Sequence, residues 1–549
     1  MNTNDLMRLA LGLSKRAESY DASHLASSFV EIGNVPTLLR NNDSAIIFGR
    51  RGTGKTHLLS YLASLLKEGG GVVVSIDMRT IGSSSGLYAD PGLLLSERAT
   101  RLLRDTANAI HERILEAYTE PSDAVYGQDI TSGLDQLLDA ANSLVIDGAL
   151  TREEAFQSSI DTNNSAQAGF QFSPTGGQFS GSFTDSIKTG LTDAQKQSVS
   201  GRPTIRINFN GLTSALERVV RSLPTKRLWI LLDEWSEVPL DLQPYLADML
   251  RRGFLAVRGV TAKIAAIEHR TALRLVNEAT GQSVGIEIGA DVAMSVNLDD
   301  HMVFENDSAA ASQFFSQMLF RHMRSIAQTE KLDFNIIQAD DLTRLMFTQR
   351  DSFTEFVRAS EGVPRDAINI LSKCALRAHN DKISMPIVRE AARAWYSTSK
   401  QSDINSRPRA NALMDWIKSQ VIGQRRARGF LLDVKARDVL IDYLFDSRVL
   451  HIIKKGISSK DREDGGRKFN AWVLDYGCYV ELFNTAVAPR GLFEVEEDVA
   501  TSSTKFVEVP QTDYRSLRRA ILDLSAFYAA TSDEPIAFSR RVTGLIPTN

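Results

Sequence analysis

Cysteine is nearly missing from this sequence: Cys374 and Cys478 are the only two in 549 residues. They stand far apart and belong to no metal-ligand cluster, which predicts free thiols in a reducing compartment. An excess of one charge sign is missing too. Lys and Arg number 63 against 67 Asp and Glu, a formal net charge of -4. That balance argues against a chain coated for nucleic acid, while leaving room for a local basic face. No apolar run reaches membrane-spanning length, and Met1-Asn2-Thr3-Asn4-Asp5 is not a charged start leading into an apolar core. The expectation is a soluble, cytoplasmic protein with no membrane partner. What is present is a 43% apolar composition and a chain too long for one core, so roughly two to four domains are expected.

The strongest chemical signal is Gly49-Arg50-Arg51-Gly52-Thr53-Gly54-Lys55-Thr56, between the apolar run Ser44-Ala45-Ile46-Ile47-Phe48 and the helix-like run His57-Leu58-Leu59-Ser60-Tyr61-Leu62. Strand, glycine-rich turn and helix in that order make a phosphate-binding loop. Glycines allow the backbone to close around a polyphosphate, and the amides at the helix start point at it. Lys55 would reach the β- and γ-phosphates, and the Thr56 hydroxyl would hold Mg²⁺. The candidate nucleotide-binding set is therefore Gly49, Arg50, Arg51, Gly52, Thr53, Gly54, Lys55, Thr56 and His57, with ATP and Mg²⁺ as the expected cofactors.

A second signal is the apolar run Leu228-Trp229-Ile230-Leu231-Leu232 ending in Asp233-Glu234. Alone, a plain strand end accounts for it. Downstream of a full phosphate loop, Asp233 reads as the metal-side carboxylate opposite Thr56 and Glu234 as the base that polarises water. That pair predicts hydrolysis rather than nucleotide storage. A buried strand at Gly70 to Asp77 and another at Ala262 to Ile267, with helices between, complete a doubly wound α/β pattern. The second of these strands runs into Glu268-His269-Arg270, polar residues able to sense a γ-phosphate or to form surface salt bridges. Val284-Gly285-Ile286-Glu287-Ile288 reads as the last core strand.

The chain divides into expected segments. Residues 1–43 are a helical lead-in, and 44–300 the α/β core, mostly helical from Leu93 to about Ala149. Residues 155–204, rich in Ser, Gly, Gln, Thr and Asn and punctuated by Phe170, Phe172, Phe179 and Phe183, form either a projecting insertion, with a hairpin allowed, or an unstructured one. A helical lid is expected over 301–384. Residues 385–494 read as helices followed by a two-stranded hairpin with a basic tip, the pattern of a winged helix. Arg425, Arg426, Arg428, Lys454, Lys455, Lys460, Arg462, Arg467 and Lys468 are its positive residues. They could contact DNA phosphates, but Asp461, Glu463 and Asp464 interrupt them, and a solvated face or a protein-contact wing reads equally well. Residues 495–549 are a linker and tail with an amphipathic helix near Tyr514 to Leu522.

With these stretches in hand, the chain resembles the AAA+ ATPases, in the initiator-like branch of origin-recognition and Cdc6 proteins. The resemblance covers roughly residues 25–385 and rests on Gly49 to Thr56 (Walker A), Leu228 to Ser236 (Walker B) and Gly362-Val363-Pro364-Arg365. It implies a P-loop αβα core with a helical lid and a winged-helix domain behind it. It also implies sensor 1 at Glu268 or His269, sensor 2 at Arg365, and a homo-oligomer in which a neighbour supplies an arginine finger. Arg270 and Arg274 are candidates for that finger, with Arg251 and Arg252 as alternatives. Sensor 1 is often Asn, Ser or Thr in these ATPases, and the 155–204 insertion is foreign to a minimal initiator. Together these departures suggest a specialised bacterial or mobile-element relative. The implied function is an ATP-hydrolysing switch acting on DNA or a nucleoprotein. The rival is a defence or signalling ATPase, antiviral in the bacterial setting, that regulates a separate effector protein. A translocase ranks third.

Overall fold

The computed structural model describes residues 2–14, 22–31, 33–81, 88, 90, 92–119, 127–153, 196–205, 207–277, 280–304, 307–379, 381–423, 429–436, 438–458, 467–483 and 520–531. Two compact units divide the chain: Met1–Ala141 with Asn208–Asn549, and Asn142–Ile207. Twelve strands are described. They are β1 (Ala45–Phe48), β2 (Val72–Asp77), β3 (Leu144–Glu153), β4 (Lys196–Ile205), β5 (Leu228–Asp233), β6 (Val260–Ala266), β7 (Arg274–Val276), β8 (Ser283–Gly285), β9 (Met294–Asn297), β10 (Gly429–Asp433), β11 (Leu450–Ser458) and β12 (Lys468–Leu474).

The larger unit is built on a parallel sheet in the order β2-β5-β6-β1-β9. β1 and β5 read as nearly continuous apolar runs because helices cover the sheet; every residue of β6 is buried too, Thr261 and Lys263 included. The helix Lys55–Glu68 lays Leu58, Leu59, Leu62 and Leu66 on Ile47, Trp229, Leu231 and Ala265. Register puts Phe48 beside Ala266 and Asn297, and Asp77 beside Asp233. The carboxyl ends of all five strands therefore meet along one edge, where open α/β sheets carry ligands.

The expected last core strand is corrected. Ser283–Gly285 pairs antiparallel with Arg274–Val276, outside the core sheet, and Met294–Asn297 takes the place beside β1. Gly285 has φ +116°, and a Cβ there would stand 2.1 Å from the Leu273 carbonyl oxygen. That glycine permits the close approach of the end of β8 to the backbone of Leu273 and Arg274. The true edge strand, Met-Ser-Val-Asn, has too weak an apolar pattern to announce itself.

A helical layer follows. Ser308–Thr329, Ala339–Met346, Arg350–Ala359, Pro364–Ala378 and Met385–Trp395 share one apolar cluster with the N-terminal helix Thr3–Gly12, which brings Leu6, Leu9 and Ala10 to it. Beyond it, Pro408–Trp416, Val439–Asp446 and Leu524–Thr531 pack with a three-stranded antiparallel sheet ordered β10-β12-β11. The third strand, β10, is an addition to the expected two-stranded hairpin. Ala520 to Leu522, expected in a helix, instead run alongside β10, where the Leu431 amide donates to the Ala520 carbonyl and the Leu522 amide to the Leu431 carbonyl; the helix begins at Leu524. The hairpin tip around Lys460 and Arg462, with Arg425, Arg426 and Arg428, lies outside the described residues, as do the linker from 496 to 503 and the segment from Tyr514 to Arg519.

The smaller unit contains β3 and β4, paired antiparallel from Leu144↔Ile205 to Glu153↔Lys196. Residues 144–149 are thus strand rather than helix, in keeping with the Leu-Val-Ile that opens them. The unit starts at 142 rather than 155. Phe170, Phe172, Phe179 and Phe183 lie outside the described residues.

Candidate functional site

The loop Gly49–Thr56 leaves the carboxyl end of β1 and turns into the helix Lys55–Glu68. Its first amide, on Gly49, donates to the Ala266 carbonyl at 3.2 Å, so β6 anchors the loop. Gly52 and Gly54 have φ of +88° and +92°, a region glycine enters freely. At Gly52 the need is double, because a Cβ would also lie 2.7 Å from Arg365 Cβ. Gly54 caps the helix without any side-chain acceptor, leaving the first-turn amides for an anion.

Within the loop, Lys55 Nζ donates to the carbonyls of Gly49 (2.8 Å) and Arg50 (3.0 Å). Burial pushes its pKa down, against the pull of Glu234, Asp233 and Asp299. Asp233 closes β5, accepts a hydrogen bond from the Glu234 amide at 2.8 Å, and has the Thr56 hydroxyl near enough to oppose the effect of burial on its pKa. Glu234 sits at φ +52°, left-handed and unusual for a residue with a side chain. Such outliers gather at functional sites. Burial raises the pKa of both carboxyls, which makes Glu234 a better proton acceptor than an exposed glutamate.

Lys55, Thr56 and Glu234 line a cavity of about 380 Å³, and Asp233 is not part of its wall. Its polar wall includes the loop from Arg51 to His57 with Arg79, Glu234, Glu237 and Arg365. Leu25, Phe29, Phe314, Met318 and Ile368 add apolar wall. Arg365 lies at the start of the helix Pro364–Ala378, and its amide donates to the Gly52 carbonyl at 3.2 Å. Arg51 is half-exposed and pairs with Glu237 at 2.6 Å. His57 lines the wall, but its Nε2 is turned to the Leu25 carbonyl at 2.6 Å and its ring stands edge-on to Phe29, so it fastens the helix Ala22–Ser28.

Several expected residues lie elsewhere. The Arg50 side chain turns behind the loop, to Asp299, Glu361 and His451. Glu268, His269 and Arg270 are absent from the cavity wall. Glu268 pairs with Lys455 at 2.6 Å, His269 with Asp442 at 3.0 Å and Arg270 with Asp446 at 3.2 Å, all contacts to the C-terminal sheet and the helix Val439–Asp446. The other finger candidates are ion-paired too: Arg251 and Arg252 with Asp248, Arg274 with Glu287. Sequence reasoning missed Arg79 and Glu237 on the cavity wall. The register signal for Arg79 was available, since it follows β2 two residues after Asp77, the neighbour of Asp233.

The donor set suits a polyanion held with a hard divalent cation. A buried lysine, uncapped helix amides and Arg365 offer positive charge, while the Thr56 hydroxyl and the Asp233 carboxylate are oxygen ligands of the kind Mg²⁺ takes alongside phosphate oxygens. Among the described residues no group of three or more His, Cys, Asp or Glu is placed to hold a metal. No helix among them is long and apolar enough to cross a membrane.

A family model described as ORC-CDC6-like matches residues 13–64, the stretch that carries the loop. Its likeness to ORC and Cdc6 proteins is a distant one. Cdc6p from Pyrobaculum aerophilum is 12% identical over 83% of this chain and 94% of its own, with a TM-score of 0.28. The Aeropyrum pernix Orc1 protein, solved in complex with DNA, is 12% identical over 82% of this chain and 91% of its own, also at 0.28. No curated protein matches this chain.

Proposed function

We propose that the cavity binds Mg·ATP and that the protein hydrolyses it as a conformational switch. One observation carries this reading: Lys55, Thr56, Glu234 and Arg365 line one cavity, brought there by the loop, the end of β5 and the helical layer, with Asp233 directly before Glu234. Lys55 and the amides of Gly52 to Thr56 would bind the phosphates, and Thr56 and Asp233 would hold Mg²⁺, which supplies charge neutralisation. Glu234 is placed to orient water and accept its proton. Arg365 would report the phosphates to the helical layer, and the apolar wall that includes Phe29 and Ile368 has the character of a base site. The test compares ATP binding and phosphate release in wild type, K55A and E234Q. K55A is expected to lose binding, and E234Q to bind without turnover. K55A turning over at the wild-type rate would overturn the assignment.

A neighbour's arginine finger belongs to the same proposal, with Arg270 and Arg274 before Arg251 and Arg252. E234Q with Mg·ATP should then sediment as a larger assembly, and a monomer in every condition would remove the finger. The C-terminal segment, proposed as a winged helix from its helices and β11–β12 hairpin, would place Lys454 and Lys468 on DNA phosphates. Binding that weakens steeply with salt is the expected mark. A second reading, a cytoplasmic defence or signalling ATPase with a protein effector, is supported by the three pairs Lys455–Glu268, His269–Asp442 and Arg270–Asp446. They use this segment as a protein-packing element. Deleting the insertion should then abolish effector binding and leave ATP turnover intact.

A further inference from the structure

Arg50 is the second residue of the loop, yet its guanidinium is among the most buried in the molecule, at 2% exposure. Three elements meet on it. Nε donates to Asp299 Oδ1 at 3.0 Å, just beyond β9. Nη2 donates to the Glu361 carbonyl at 2.9 Å, in the turn before the helix Pro364–Ala378. Nη1 meets His451 Nδ1 on β11. The Arg50 amide donates to Asp299 Oδ2 at 3.0 Å, and its carbonyl accepts from Lys55 Nζ at 3.0 Å and from the Thr53 hydroxyl at 2.9 Å.

The Glu361 turn is itself rigid. Glu361 and Gly362 are both left-handed, at φ +51° and +73°, and a Cβ on Gly362 would lie 2.6 Å from the Met302 carbonyl oxygen.

A guanidinium has donors and no acceptor, so His451 Nδ1 must accept. The imidazole is therefore neutral with its proton on Nε2, which faces Asp475 Oδ2 at 3.5 Å. Asp475 pairs with Lys400 at 2.5 Å, and Lys400 with Asp366 at 2.8 Å. Asp366 follows Arg365, whose amide returns to the loop at Gly52. Contacts thus close a ring from the loop through the C-terminal sheet and the helical layer back to the loop, and no side chain of His451, Lys400 or Asp475 lines the cavity.

We propose that His451 is a positioning residue for the nucleotide site: by accepting from Arg50 it fixes the loop carbonyl that holds Lys55, and so ties nucleotide affinity to the seating of the C-terminal sheet. The proposal rests on the reading of the cavity as a nucleotide site. Linkage makes the coupling reciprocal: whatever loosens the sheet weakens nucleotide, and nucleotide firms the sheet.

The test titrates a fluorescent ATP analogue with Mg²⁺ into the full chain, with urea unfolding of each variant alongside. H451N keeps an acceptor near the Nδ1 position and is expected to bind within about threefold of wild type. H451A and R50A are each expected to weaken binding about tenfold, the scale of a lost charge-assisted hydrogen bond. The double variant should bind no worse than R50A alone. Nucleotide should slow amide exchange in β11 and β12 of wild type but not of H451A. If H451A does not fold, H451Q, which reaches Asp475 but moves the acceptor off Arg50, is expected to show the same weakening. H451A binding as tightly as wild type while losing stability would overturn the coupling and leave His451 a fold residue. Wild type that binds no ATP analogue would overturn the nucleotide reading and the coupling together.

Discussion

Buried charges lie on both sides of the Gly49–Thr56 loop, and burial treats them differently. On the cavity side it wins. Lys55 is pushed down and Asp233 and Glu234 are pushed up, burial first among the causes in each case. Each group is driven toward its neutral form although opposite charges stand near it. Behind the loop the partners win at Lys400, Asp366 and Asp475, while burial holds His451 down at about 4 and neutral. Burial would lower the Lys400 pKa, but Asp366 and Asp475 raise it. Burial would raise Asp366 and Asp475, yet Arg448 and Lys400 hold Asp366 down at about 2, and Lys400 with His451 lowers Asp475. The back cluster is a lock whose charges are already matched. The cavity cluster carries charge against a penalty, and stands to gain from any further opposite charge. That difference supports the proposed reading of the cavity as a ligand site and of the back cluster as part of the fold.

The largest expected effect breaks the lock. K400M leaves two buried carboxylates without their shared cation and should destabilise by about 3–5 kcal/mol, the usual result of removing one partner from a buried pair. Urea unfolding measures it. A loss below about 1 kcal/mol would mean that the remaining partners, Arg448 and His451, suffice.

Next comes acid. The folded pKa of Asp366 lies below the ordinary 3.8, at about 2. Its contribution is therefore present above pH 3.8 and lost as pH falls through about 2. That amounts to about 2 to 3 kcal/mol between those values. D366N should flatten the acid limb of stability measured over this window. An unchanged slope would sink the assignment.

How far the sequence reveals this contrast follows from chain distance. The cavity cluster was legible because its main parts are local: Gly49 to Thr56 is one run, Asp233-Glu234 ends one apolar strand, and both face the sheet edge that α/β topology dictates. The lock was not legible. Arg50 and His451 are separated by 401 positions, and Lys400 and Asp475 by 75. Nothing in the spacing of such residues marks them as partners. Arg50 looked like one more phosphate-binding residue for the same reason, since the turn that sends its side chain backward is set by Asp299 and Glu361. Glu268, His269 and Arg270 sit at the end of β6, and only packing against Val439–Asp446 and β11 decided their contacts. The five-stranded core failed in one place, β9, where a four-residue edge strand carries little apolar pattern.

The smallest expected effect sharpens the comparison from the cavity side. Glu234 has a folded pKa raised above the ordinary 4.5, with burial as the first cause. A raised carboxyl contributes stability below pH 4.5 and loses it as pH climbs through the folded value. At neutral pH the charged side chain is then a cost to the fold. E234Q removes the charge and keeps the shape, and the left-handed backbone at φ +52° stays in both forms. The variant should therefore melt slightly higher than wild type at pH 7. Its advantage should fade as pH falls toward 4.5, where wild-type Glu234 is itself protonated. Differential scanning calorimetry at both pH values reads the sign directly. A variant that melts lower at pH 7 would mean that Lys55, the largest opposing influence on Glu234, outweighs burial, and the cavity would then be locked in the same way as the cluster behind the loop.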